Sequence, residues 1–341
     1  MSKAKTIVPI FYSTDDNYVP WLCASLASLV EHTSRKNHYI IHILNNGLSK
    51  ESMDNLSLYS KENVEIQFVN LSEKIKPFEE SLKEVYYFKM QVYFRLFIAS
   101  MFPQYDKVLY LDCDTIILSD IAGLYNINLD GNILGATMDQ IVAITELLRE
   151  YTQKAVGVHY KQYFNSGVLV IDAKKFRDEH IEKQFIHLIT TYNFDVIAPD
   201  QDYLNYLCRG RVKYFDKNWN KMPLNDGWSG KINLIHYNFF RKPWRDNCIK
   251  YRKYFWEYCK KTPYYDYALE YSVSITPQDK IKAKKGTVAI VLHSQDVVKN
   301  GNNFHTILDN QNVAGSNEYA QDETADCPIQ SFGIEKSVSL V

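Results

Sequence analysis

No stretch of the chain approaches the roughly 20 apolar residues that a helix needs to cross a bilayer, so a membrane-spanning anchor is not expected. The opening segment, MSKAKTIVPIFYSTDDNY, carries one short apolar run that polar residues interrupt, too short for the core of a signal peptide. Neither a Walker A loop nor a G-x-G-x-x-G fingerprint occurs, which removes the glycine-rich phosphate cradles from consideration. Paired cysteines are missing too. The six cysteines are scattered between Cys23 and Cys327 with no C-x-x-C, and so low a density argues against a disulfide scaffold. A reducing, cytoplasmic setting is the expectation. Nor does either charge dominate, with 39 Lys and Arg against 40 Asp and Glu, so no global field draws the molecule to nucleic acid.

What the chain has is length, apolar material and aromatic rings. Its 341 residues suit one large α/β domain or a catalytic domain with an appendage, because single cores stop growing at about 250–300 residues. The 26 Tyr and 17 Phe read either as a Tyr-rich core or as platforms for sugars. Periodicity predicts strands at Thr6–Tyr12, Tyr39–Leu44, Val64–Val69 and Lys107–Asp112, with helices over Val19–Val30, Glu51–Tyr59 and Met90–Met101 between them. That β-α-β-α-β order predicts a mostly parallel central sheet with helices on both faces. Shorter elements follow: strands Ile133–Thr137, Gly167–Ile171 and Ile232–His236, and helices from Lys174 to about Ile189 and over Gln201–Leu207. Residues 1–262 read as the catalytic domain and 263–341 as an add-on or tail whose one predicted strand is Thr287–Leu292.

Ligands of such sheets bind beyond the carboxyl ends of the strands, where the polar clusters after Thr6–Tyr12 and Lys107–Asp112 would meet. In Asp112-Cys-Asp114, residues two apart on an extended segment point the same way, so both carboxylates can face one cation. The pattern alone is not decisive, because Asp200-Gln-Asp202 is a second D-x-D in the same chain. A carboxylate after Pro199 is also favoured simply by a helix N-terminus. His236 ends an apolar run and could add an imidazole, or merely hydrogen-bond locally. Two carboxylates and an imidazole suit Mn²⁺ or a similar ion.

Six segments in order carry a resemblance to glycosyltransferase family 8: STDDNY at Ser13–Tyr18, YFRL at Tyr93–Leu96, KVLYLDCD at Lys107–Asp114, YFNSGVLVID at Tyr163–Asp172, PDQDYLN at Pro199–Asn205 and HYNFFRKPW at His236–Trp244. The resemblance spans about residues 7–244. It implies a GT-A type, Rossmann-like fold and a retaining transfer of galactose or glucose from UDP-galactose or UDP-glucose to a glycan or glycoprotein, with Mn²⁺ or Mg²⁺ as cofactor. By position, Asp112, Asp114 and His236 resemble metal ligands. Asp15 and Asn17 resemble uridine contacts, with Tyr18 on the base, Ser13 beside it, and Cys113 counted with the nucleotide site. Arg95, Asn165, Asp200 and Gln201 resemble the residues that hold the donor sugar, Lys242 the cation on the leaving diphosphate, and Asp139 a residue near the acceptor. Gln201 is a poor nucleophile, so the implied reaction is a front-face displacement, with Asp200 or the amide oxygen of Gln201 stabilising positive charge. The chain departs from the family at Phe239, where a glycine is usual; a positive φ there would strain a phenylalanine.

Residues 241–271 interleave basic and aromatic side chains, a pattern that fits peripheral contact with the inner face of a membrane or a solvated helix with a packed aromatic face. Competing functional readings are a non-catalytic glycan-binding or scaffolding protein on the same fold and a nucleotidyltransferase. Release of UDP from a UDP-sugar separates them.

Overall fold

The computed structural model describes residues 5–82, 84 and 89–309; residues 310–341, with Cys327 and the end of the expected tail, lie outside the described residues. The central sheet has seven strands: β1 (Thr6–Ser13), β2 (Asn37–Asn45), β3 (Val64–Asn70), β4 (Lys107–Leu111), β6 (Leu134–Met138), β7 (Phe164–Asp172) and β8 (Val212–Tyr214). A two-stranded ribbon is formed by β5 (Thr115–Ile117) and β9 (Leu234–His236). Spatial order in the large sheet is β3-β2-β1-β4-β7-β6-β8. Every pairing is parallel except those of β7, which runs antiparallel to both β4 and β6.

Side chains that alternate along a strand serve opposite faces, and here both faces are buried. Phe11, Val108, Tyr110, Leu169 and Ile171 enter one apolar cluster, which helices Ile181–Thr191 and Pro199–Cys208 cover. Val8, Ile10, Tyr12, Leu109, Leu111, Val168 and Val170 enter the other, beneath Leu22, Leu26 and Leu29 of helix Val19–Glu31. That helix starts where it does because Asp15 Oδ1 accepts from Tyr18 N at 3.0 Å and Pro20 sits in the first turn. With β2 and β4 on either side of β1, the chain switches direction across the sheet at β1 and β4. The crevice beyond Ser13 and Leu111 is therefore the expected ligand position.

Several expected elements change on folding. Met90–Met101 is a 3₁₀ turn, Met90–Leu96, followed by the short helix Ile98–Met101. The segment from Lys174 breaks into Ala173–Asp178 and Ile181–Thr191, because His180 takes φ +57° between them. Thr287–Leu292 is not a strand. It lies inside helix Pro277–Asn300, which opens on a Thr276/Asp279 capping box with Pro277 at its first position and closes at Gly301, φ +75°. Those local signals and the burial of Ile290 and Val297 against Tyr151, Val156 and Ile197 outweigh the β-branched run. The aromatic half of residues 241–271 turns inward: Trp244, Phe255, Trp256 and Tyr258 are buried with Trp21, and the Trp21 and Trp244 rings stack at 4.2 Å. Among the described residues no helix is long and apolar enough to cross a membrane.

Candidate active site

At the switch point, β4 runs out at Leu111 and the next residues, Asp112 to Asp114, turn into β5. β5 pairs with β9 so that Thr115 stands opposite His236, and Tyr237 N donates to Asp114 O at 2.9 Å. This ribbon of two three-residue strands brings His236 to the acidic segment across 122 residues of sequence. Carboxylate oxygens of Asp112 and Asp114 and a ring nitrogen of His236 lie within 4.8 Å of one another; His236 Nε2 is 3.5 Å from Asp112 Oδ2 and 3.3 Å from Asp114 Oδ1.

The other oxygens are already engaged. Arg95 Nη2 and the Tyr110 hydroxyl donate to Asp112 Oδ1 at 2.8 and 3.0 Å, and Lys242 Nζ pairs with Asp114 Oδ2 while donating to Tyr237 O at 2.7 Å. One oxygen of each carboxylate thus faces the imidazole. Burial pushes the Asp114 carboxyl up, but the charge of Lys242 beside it outweighs this and holds it below the usual range. The donor set of two ionised oxygens and one imidazole nitrogen fits a divalent cation such as Mn²⁺ or Mg²⁺. Gly167 supplies the room: a Cβ there would lie 2.2 Å from His236 Cε1 and 2.4 Å from Asp112 Oδ2.

Arg95 is buried at 3% exposure and bridges two acids, with Nη1 3.0 Å from Asp200 Oδ2 and its guanidinium 4.1 Å from the Tyr110 ring centre. Asp200 also accepts from Ser166 Oγ at 2.7 Å; burial raises its carboxyl and Arg95 draws it back. Its neighbour in the D-x-D, Asp202, faces away from this pair. It accepts from the hydroxyls of Tyr151 and Tyr163 and from the backbone of Ile197 and Ala198, which makes it a capping group of helix Pro199–Cys208, and burial lifts its carboxyl to about 6. Gln201 Oε1 accepts from Ser166 N at 3.0 Å and Asn165 Nδ2 at 3.1 Å, and Gln201 Nε2 donates to Asp139 Oδ2 at 3.2 Å.

A pocket of about 160 Å³ is lined by Ser13, Asp15, Tyr18, Arg95, Asp112, Cys113, Asp114, Asn165, Asp200, Gln201, His236 and Lys242. Of the residues given a role by the resemblance, Asn17 and Asp139 are the two outside that lining. Asn17 is exposed, whereas Asp139 is buried behind Gln201 and Asn165 and caps helix Gln140–Ile144 through Ile141 N and Val142 N. Cys113 donates its thiol to Ser13 O at 3.1 Å, tying the ends of β1 and β4 together, and burial followed by the flanking acids raises it well above the usual thiol range. Phe239 does take φ +60°, a left-handed conformation that costs a non-glycine residue about 1–2 kcal/mol. Sequence reading missed Tyr110, Ser166, Gly167 and Asn220. The signal for two of them was available: a glycine inside an apolar strand often marks close approach of another group, and Asn165-Ser166-Gly167 interrupts such a run.

Comparison with known proteins identifies the family. The model of glycosyl transferase family 8 matches residues 9–248. A putative glycosyltransferase of Haemophilus influenzae is 30% identical over 250 residues, 70% of this chain and 73% of that protein. A lipopolysaccharide 1,2-glucosyltransferase of Escherichia coli K12 is 25% identical over 292 residues, 77% and 78% of the two chains. The galactosyltransferase LgtC, solved with donor and acceptor sugar analogues, superposes with a TM-score of 0.62 at 26% identity over 75% of this chain and 96% of its own. LgtC has also been solved as an active-site mutant with glutamate in place of glutamine. With a GT-A architecture and a family match over most of its length, this chain belongs to glycosyl transferase family 8.

Proposed function

We propose that the protein transfers galactose or glucose from a UDP-sugar to a glycan or glycoprotein acceptor, with a divalent cation held by Asp112, Asp114 and His236 and with retention at the anomeric carbon. The observation that carries this is the convergence of Asp112 Oδ2, Asp114 Oδ1 and His236 Nε2 at the switch point, each with its other polar atom already engaged. The names of two relatives support the choice of sugars, since one is a glucosyltransferase and the other a galactosyltransferase.

Bound there, the cation would supply positive charge to the departing diphosphate in place of a general acid. Lys242, held by Asp114 and Tyr237 O, adds a second positive charge in the same pocket. Asp15 and Tyr18, at the end of β1, take the nucleoside end, and Arg95, Asn165, Asp200 and Gln201 take the sugar. Gln201 is not the nucleophile: both lone pairs of its carbonyl oxygen are committed to Ser166 N and Asn165 Nδ2. The expectation that this oxygen itself faces a cationic sugar gives way to one in which Gln201, fixed by Ser166, Asn165 and Asp139, lines the pocket where the sugar rests. Asp200, locked to Arg95 and Ser166, contributes negative potential near the anomeric centre. Displacement on the face from which UDP departs follows, and the product linkage is α.

Incubation with UDP-galactose or UDP-glucose and Mn²⁺, without acceptor, should release UDP slowly from one of them and not in EDTA. Absence of release from every UDP-sugar tested, with or without glycan acceptors, would leave a binding module on this fold. A β-linked product in the NMR spectrum would overturn retention.

A further inference from the structure

Two backbone amides fix the direction of the hydrogen bonds that link Gln201, Asn165 and Asn220 behind the pocket, and the last of those bonds fixes the proton on His236. A backbone N–H can only donate. Gly167 N donates to Asn165 Oδ1 at 3.1 Å, so the Asn220 atom 3.0 Å from that same oxygen must be its NH₂. Asn220 Oδ1 is then the atom 3.0 Å from His236 Nδ1. Because a carbonyl oxygen only accepts, Nδ1 carries the hydrogen, and the lone pair of the neutral ring sits on Nε2, facing Asp112 and Asp114. Ser166 N sets the other branch in the same way: it donates to Gln201 Oε1, so Gln201 Nε2 points at the Asp139 carboxylate.

We propose that Asn220 is a positioning residue that selects the metal-binding tautomer of His236. Without it the choice goes the other way, because Asp112 and Asp114 are acceptors and would draw the ring proton to Nε2, where it blocks coordination. Asn220 is built to resist that pull. It is fully buried, its backbone carbonyl accepts from Gln140 Nε2 at 2.7 Å, and the adjoining Lys221 is bonded to β9 on both sides, through Leu234 O at 2.9 Å and His236 N at 3.0 Å. The same chain continues through Asn165 to Gln201 and Asp139, so the orientation of the ring is tied to that of the groups proposed to hold the sugar. Polar partners of this kind typically change metal affinity by about 10–100-fold when removed.

The inference rests on His236 being a cation ligand, and its test needs no turnover. In metal-free protein, at a pH where the ring is neutral, a two-bond ¹H–¹⁵N correlation spectrum should show the His236 hydrogen on Nδ1. Asn220→Leu should move it to Nε2 and weaken Mn²⁺ binding, measured by electron paramagnetic resonance of the free ion, by about 10–100-fold. Asn220→Asp keeps an acceptor at Nδ1 but sets its other oxygen against Asn165 Oδ1, so it should restore the tautomer and only part of the affinity. A wild-type ring protonated on Nε2 overturns the proposal even if Asn220→Leu fails to fold, and so does an Asn220→Leu protein with wild-type tautomer and Mn²⁺ affinity. Failure of the glycosyltransferase reading would look different: the expected tautomer and Mn²⁺ binding, with no UDP released from any UDP-sugar.

Discussion

Gly167→Ala isolates the space on which the cation site depends. Gly167 sits inside β7, and its φ is not in the left-handed region, so alanine suits its backbone and the methyl group is the whole perturbation. That methyl would stand 2.2 Å from His236 Cε1 and 2.4 Å from Asp112 Oδ2, against the roughly 3.5–4.0 Å at which non-bonded carbons rest. One side must retreat by more than about 1 Å. The strand is held, because Gly167 O accepts from Asp112 N at 2.8 Å and Gly167 N donates to Asn165, so the imidazole and the carboxylate are displaced instead. Overpacking of this kind costs about 1–3 kcal/mol of stability. The specific effect is on the ligands, and Mn²⁺ affinity should fall at least 10–100-fold, about 1.4–2.7 kcal/mol. Gly135→Ala is the control: in the neighbouring strand β6, its Cβ meets Leu129 Cδ2 at 2.8 Å, so it overpacks the core without touching the site. Calorimetric titration with Mn²⁺, beside thermal melts of both variants, separates the two costs. The reasoning fails if Gly167→Ala binds Mn²⁺ as the wild type does, or if Gly135→Ala loses as much.

Gln201→Ala should lower kcat by roughly 10–1000-fold, about 1.4–4 kcal/mol, with UDP affinity nearly unchanged, as for a contact made mainly in the transition state; full turnover would remove it from the mechanism. Asp202 gives a pH signature. Its buried carboxyl titrates at about 6 against roughly 3.9 unfolded, so the native state takes up a proton between those values and stability falls as pH rises through them. The loss is complete above pH 6 and amounts to about 3 kcal/mol, and urea unfolding of Asp202→Asn should lack that slope; an identical slope would reassign it. Truncation after Thr262 uncovers Val156, Ile197 and Phe240, which pack with helix Pro277–Asn300. We expect a lower melting temperature together with weaker UDP binding, and unchanged values for both would make the C-terminal segment dispensable.

The sheet was legible because β1, β2 and β4 are near-continuous apolar runs that stop at polar clusters, and a parallel order follows from the helices between them. Of the ribbon, β9 was legible as the end of the expected Ile232–His236 strand, but β5 was not, being three residues long and too short for any period to show, and nothing in the sequence pairs the two. Yet that ribbon is what carries His236 to Asp112 and Asp114. The residues that orient the site were hidden for a related reason. Tyr110 reads as one more apolar position of β4, and Asn220 lies in a loop with no pattern; only tertiary pairing gives either of them a partner. Asp200-Gln-Asp202 shows the limit of a motif, since one aspartate faces Arg95 and the other caps its own helix.

The account turns on whether the nucleotide is held through a cation at Asp112, Asp114 and His236. Calorimetric titration of UDP into the wild type and Asp114→Ala, each in Mn²⁺ and in EDTA, addresses this directly. The account predicts that EDTA and Asp114→Ala each abolish most of the UDP affinity, and that Mn²⁺ restores nothing to the variant. Equal UDP affinity in Mn²⁺ and EDTA for the wild type would contradict it.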